Sequence, residues 1–184
     1  MGEAFVQVVN AEPLGAHANV EEAMFTAITR ARKYVYIETP YFIPPGSLLR
    51  AIQTVAMSGI EVRLVMPKRS DNDNVQYASN SYVEDLLRNN VKVYQYLKGF
   101  THSKLMIIDD ELVIAGSVNM DMRSLELLFE TNLFIYDKAV AHTVKQIYQT
   151  DMEDSEEIHL SDWINRSRSA RFREAFFRLL SPLY

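Results

Sequence analysis

The chain has 184 residues and a mass of 21.2 kDa, with 48% of its residues apolar and 23% charged, which suits one packed domain and is too little for two independent ones. A net charge of −5 and a pI near 5.4 disfavour broad electrostatic capture of nucleic acid, so no nucleic-acid partner is expected. With no cysteine there are no disulfides, no thiolate metal sites and no thiol nucleophile, and any nucleophilic work falls to histidine.

At the amino end, Met1-Gly2 fails the myristoylation pattern because Val6 stands where Ser or Thr is needed, and the start reads as that of a fragment. Neither a secretory leader nor an apolar run long enough for a membrane span is visible, so the chain as given is expected to be soluble. Ala4 to Val9 reads as a short strand, and Glu12 to Ala18, with Pro13 and Gly15, as a loop. Asn19 is placed to cap a helix over Val20 to Lys33, where Ala23, Met24, Ile28 and Ala31 recur at helical spacing. A strand, Tyr34 to Ile37, leads into the proline-rich loop Thr39 to Gly46, then a helix from Ser47 to Ser58 closed by Gly59. The order repeats with strand Glu61 to Met66, loop Ser70 to Asn74, helix Val75 to Asn89 and strand Val91 to Leu97.

Strands alternating with helices of ten to fifteen residues predict an α/β sandwich, with helices on both faces of a largely parallel sheet. Lys104 to Ile108, Leu112 to Ala115 and Thr131 to Tyr136 then follow with fewer helices between them, so the sheet is expected to be mixed. Ala139 to Met152 and Asp162 to Leu180 read as terminal helices, and the acidic Asp151 to Glu157 as a solvated loop or helix end. Phe172, Phe176, Phe177, Leu179 and Leu180 form an apolar stripe expected to pack on the sheet, with membrane-surface contact as the rival.

The stretch from Thr101 to Asn119, THSKLMIIDDELVIAGSVN, holds the spaced set His102, Lys104, Asp109, Gly116, Ser117 and Asn119. Six specified positions at a background of about 5% each arise by chance on the order of once in a million chains of this length. On an extended segment His102 and Lys104 share a face, whereas Asp109 has the opposite parity and is expected to fix local structure from behind. Ser117 and Asn119 share parity on the next stretch, and Gly116 lets backbone come close to a neighbour. These groups suit a phosphodiester. Lys104 and Asn119, with Ser117 as a further phosphate contact, can stabilise the charge that builds on a five-coordinate phosphorus, so neither a metal nor a cofactor is called for. An imidazole such as that of His102 serves as nucleophile or general acid near neutral pH, oriented by a carboxylate; Glu126 and Glu130 are both candidates.

This pattern resembles the HKD-motif phospholipase D superfamily, and Glu130 stands where that family's histidine-supporting glutamate is expected. The segments IETPYFIPPGSLLRAIQ, SGIEVRLVMPKRSDN, FTHSKLMIIDD, GSVNMDMRSLELLFETNLFIYD and RLLSPLY are similar to the carboxyl-terminal half of bacterial cardiolipin synthases. The resemblance implies phosphatidyl transfer between phosphatidylglycerol molecules through a phosphohistidine, with a partner HKD motif completing the site. It also implies that residues 1–184 are one phospholipase D-like domain, half of a longer two-HKD enzyme at the cytoplasmic face of a bacterial membrane. The expected partners are therefore a phospholipid substrate, a second HKD half-site in the same full-length chain or in a dimer, and a membrane surface. Two other readings fit the same motif: a homodimeric phosphodiesterase or nuclease, and a non-catalytic phosphate-binding or assembly module.

Tyr41 and Phe42 are candidates to line a glycerol or acyl pocket, with core packing as the alternative. Arg63, Lys68 and Arg69 read as solvated charges before lipid contacts. His17, His142 and His159 fall in no metal-ligand spacing.

Overall fold

The strand Tyr34–Glu38 is buried along its whole length, and the chain is organised around it. In the computed structural model, which describes residues 4–13 and 18–181, this strand is β2. Before it come β1 (Phe5–Ala11) and α1 (Asn19–Thr29); after it come β3 (Phe42–Ile43), α2 (Gly46–Met57), β4 (Glu61–Pro67), α3 (Asp73–Arg88) and β5 (Lys92–Tyr96). The second half runs β6 (Leu105–Ile108), β7 (Leu112–Gly116), β8 (Met120–Asp121), α4 (Met122–Glu126), β9 (Glu130–Tyr136), α5 (Lys138–Glu153), β10 (Ser155–Ile158), α6 (Leu160–Ile164) and α7 (Arg168–Leu179).

Eight strands form one sheet in the order β1-β9-β7-β6-β2-β4-β5-β10, so the α/β class and the mixed sheet are as expected. Within this sheet parallel pairing is confined to β2–β4 and β4–β5, and the other neighbours run antiparallel, so the parallel share is smaller than the sequence suggested; β3 and β8 form a separate parallel pair. The connections explain the difference. Parallel neighbours need a crossover, which α2 and α3 supply, whereas the short turn between β6 and β7 can only return the chain antiparallel. β2 shows how both faces are covered. Val35 and Ile37 enter the core under α1, α2 and α3, while Tyr34 and Tyr36 face the other way and stack with each other and with Tyr148 of α5.

Three local expectations change. Asn19 is the first helical residue rather than the cap; Ala18 precedes it and makes no side-chain capping bond. The acidic stretch contains β10, an edge strand paired with β5 in which Ile158 is buried and Glu156 reaches Lys68 at 2.8 Å; charges on an edge strand do not oppose pairing. The carboxyl-terminal helix is broken in two, with Ser167 capping α7 through the Ala170 amide.

The stripe on α7 does not pack on the sheet: Phe172, Phe176 and Leu179 are 74%, 51% and 79% exposed. The helix lies against α3 through Phe177 of the same stripe, stacked on Tyr77, and the buried Glu174 holds Arg166 in a two-point ion pair over Trp163. Gly15 and His17 lie outside the described residues, as do the last three residues of the RLLSPLY segment.

Candidate active site

The ends of β2, β6, β7 and β9 converge where the six-residue pattern falls, and the route there is set by pairing register. Leu105 pairs with Glu38 on one side and Ala115 on the other, which brings the segment before β6 level with Gly116 at the end of β7. Gly116 in turn pairs with Asn132 of β9. Only glycine fits there: a Cβ would meet the Thr131 carbonyl oxygen, the Asn132 side-chain oxygen and, at 2.8 Å, Asn132 Cα.

Residues Thr101 to Lys104 lie outside the sheet, so β6 begins one residue later than the sequence suggested. Lys104 Nζ donates to the His102 carbonyl oxygen at 3.0 Å and lies 3.1 Å from Nδ1 of the same residue. The second ring nitrogen, Nε2, lies 3.4 Å from the same ammonium. Burial pulls the Lys104 pKa below the usual lysine value, and the nearby charges of Glu130 and Asp121 partly restore it. His102 itself is exposed at the mouth, flanked by Phe100 at 5.4 Å and by the edge of Tyr41 at 6.4 Å between ring centroids.

The remaining members divide. Asn119 belongs to the site: its Oδ1 is buried without a hydrogen-bond partner, and it lines a cavity of about 380 Å³ together with Tyr41, Asp71, Asp121 and Arg123. Ser117 faces the same end, but its hydroxyl accepts the Thr131 amide at 3.0 Å and its own amide donates to the Thr131 carbonyl oxygen. Glu130 opens β9 close enough to support the charge on Lys104, yet neither it nor Glu126 makes a hydrogen bond or ion pair with His102. Asp109 is not in the cleft. At the far end of β6, in a left-handed conformation (φ 58°), it accepts the backbone amides of Arg32, Lys33 and Tyr34 at 2.7, 2.8 and 2.9 Å. There it clasps the β6–β7 turn to the entry to β2.

The two aromatic candidates part as well. Tyr41 is half-buried on the cavity wall and donates to Asp71 at 2.7 Å; burial and that carboxylate push its pKa up to about 12. Phe42 belongs to the core, in β3, edge-on to Tyr82, because pairing of β3 with β8 turns its side chain inward. The neighbouring charges and histidines lie apart from the site. Arg63 pairs with Glu61 and Lys68 with Glu156, while His142 neighbours Gln146 on α5 and His159 precedes α6. Among the described residues no group of three His, Asp or Glu side chains is placed to hold a metal ion.

Sequence reasoning missed three residues here. Asp121 is buried, which raises its pKa; bonds from Ser124 and Asn119 oppose the rise, and its cap on α4 was visible as an acid three residues before Ser124. Thr39 accepts the Met120 amide through Oγ1 and so ties β3 to β8. Glu38 lies fully buried below the motif, where Thr101 Oγ1 donates to it.

A family described as "Cardiolipin synthase, PLD-like domain" matches residues 24–152. "Cardiolipin synthase 2" of Bacillus anthracis is 44% identical over 178 residues, which is 97% of this chain and 35% of that protein. The chain thus spans about a third of the length of the curated relatives it matches. Among solved structures, phosphatidylserine synthase of Haemophilus influenzae Rd KW20 superposes with a TM-score of 0.77 at 17% identity, over 98% of this chain and 48% of that one. NucT from Helicobacter pylori superposes at 0.70 with 27% identity, over 85% of this chain and 100% of its own.

Proposed function

The chain belongs to the PLD-like cardiolipin synthase family, and from that premise we propose that it supplies one of two HKD half-sites of a phosphatidyltransferase that converts two phosphatidylglycerol molecules into cardiolipin and glycerol. In the first step a histidine nitrogen bonds to phosphorus and the bond to the headgroup glycerol oxygen breaks, glycerol leaving with a proton from the second half-site's imidazolium. In the second, a hydroxyl of another phosphatidylglycerol attacks phosphorus, its proton returns to that imidazole, and the phosphorus–nitrogen bond breaks. His102 takes one of these two roles. Lys104 and Asn119 stabilise the equatorial oxygens, and Glu130 supports the charge on Lys104.

The observation that carries this reading is the lone imidazole. Among the described residues His102 has Lys104 as its polar neighbour and no second histidine, whereas the reaction needs a nucleophile and a separate proton donor. The sheet also has a surface suited to a companion. Val6, Val8 and Leu133 share the face of β1 and β9 that no described helix covers, beside Thr131 and hence beside Ser117. The chain is accordingly read as the carboxyl-terminal half of a two-HKD enzyme whose full length is at the membrane; among its described residues no helix is long and apolar enough to cross one.

Joined to the amino-terminal part of a related synthase, the chain is expected to make cardiolipin from phosphatidylglycerol vesicles, and His102→Ala to abolish the product. Undiminished synthesis by that variant overturns the role of His102. A symmetric pair of this chain is the second reading, favoured by the match to NucT over that protein's whole chain. Turnover of a simple phosphodiester by the chain alone, with a dimer mass by light scattering, would select it.

A further inference from the structure

Thr101 and Ser103 alternate with His102 and Lys104, so whatever grips the first pair aims the second. Below them lies Glu38, the last residue of the central strand and fully buried. Thr101 Oγ1 donates to Glu38 Oε1 at 2.5 Å and is 3.4 Å from Ser103 Oγ, and Glu38 pairs across the sheet with Leu105, the residue after Lys104. The other carboxyl oxygen, Oε2, is enclosed and receives no hydrogen bond. A second carboxyl group, Asp151 of α5, neighbours that of Glu38.

We infer that Glu38 is a positioning residue of this site, a buried acid that holds the Thr101–Lys104 segment from beneath and joins it to Asp151 on α5.

An ionised Glu38 in its enclosed place, beside the carboxyl group of Asp151 and with only hydroxyls as donors, is unfavourable. A single proton resolves the conflict. On Glu38 Oε2 it makes that atom a donor to Asp151, while Oε1 keeps accepting from Thr101. Burial pushes the pKa of Glu38 up, against the hydrogen bonds of Thr101 and Ser103, and burial also raises that of Asp151. The groups facing Glu38 are Asp151 and the phenol of Tyr148 from α5 and the hydroxyls of Thr101 and Ser103. Lys104 and Asn132 line the small space on the other side. No cation is paired with Glu38 among the described residues, which is what a neutral acid requires.

The inference rests on the reading of His102 and Lys104 as reactive groups, so wild-type turnover by the joined synthase is established first. Glutamine copies the neutral acid: its oxygen accepts from Thr101 and its amide donates to Asp151. Glu38→Gln is therefore expected to keep kcat within about threefold, while Glu38→Leu lowers it by about 100-fold with little change in KM, the size of effect that follows an ångström-scale misplacement. A band of a protonated carboxyl group should appear in the infrared spectrum of the chain and vanish in Glu38→Gln. Should Glu38→Leu not fold, Thr101→Val combined with Ser103→Ala replaces it, with the same split of kcat from KM expected. Wild-type kcat in Glu38→Leu or in the double variant overturns the inference. So does a Glu38→Gln enzyme as slow as Glu38→Leu, because an ionised carboxylate would then be the active form.

Discussion

Asp109 belongs to the motif by spacing and to the scaffold by contact, and replacing it separates the two. Its carboxylate accepts three amides, two at the surface and one, from Tyr34, in a part-buried setting. Water can replace the carboxylate at Arg32 and Lys33, so those losses are small. The Tyr34 amide heads the central strand and is left unsatisfied, at about 1–3 kcal/mol. Alanine also tolerates the left-handed backbone poorly, which adds about 1 kcal/mol at φ 58°. Asp109→Ala should therefore lose about 3 kcal/mol, or about 6–12 °C in Tm for a domain of this size. Asp109→Asn keeps an acceptor and tolerates the conformation, so it should lose about 1 kcal/mol. Thermal unfolding followed by circular dichroism measures both. If Asp109→Ala melted with the wild type while the joined synthase lost its activity, the clasp would be wrong and the residue would act in the chemistry.

Three other outcomes follow from the site and its support. Lys104 is cationic only below a pKa that burial has lowered and Glu130 partly restores, so transfer should fall as pH rises through that value. Glu130→Gln should move the alkaline limb of the kcat/KM profile to lower pH, and an unmoved limb would remove Glu130 from the lysine's surroundings. Gly116→Ala drives a Cβ into the Thr131 carbonyl and should cost about 2–3 kcal/mol as β9 shifts, read by urea unfolding; wild-type stability would show that the strand yields freely. Glu174→Ala leaves Arg166 over Trp163 without its carboxylate in a largely enclosed spot, and should destabilise by about 3 kcal/mol in the same assay, with Glu174→Gln milder.

What could be read from the sequence depended on whether cooperating residues are neighbours along the chain. His102, Lys104, Gly116 and Asn119 lie on the approach to one strand and the exit of the next, so spacing alone brought them together, while Asp109 falls at the far end of β6. The helices and most strands were legible for the same local reason. Non-local pairings were not. The choice between pocket and core for Phe42 stayed open because nothing nearby shows that β3 pairs with β8, and the stripe on α7 had the right period but gave no sign of which side meets α3. An acidic run became an edge strand because β5 lacked a neighbour and a charged strand can sit at a sheet's rim. Glu38 is the sharpest case. An acid ending an apolar strand reads as a polar terminus, and only the return of α5 across the sheet brings Asp151 beside it. The motif thus names the groups proposed to react, while the residues proposed to aim them are spread over β2 and α5, where their meaning exists only once the chain is folded.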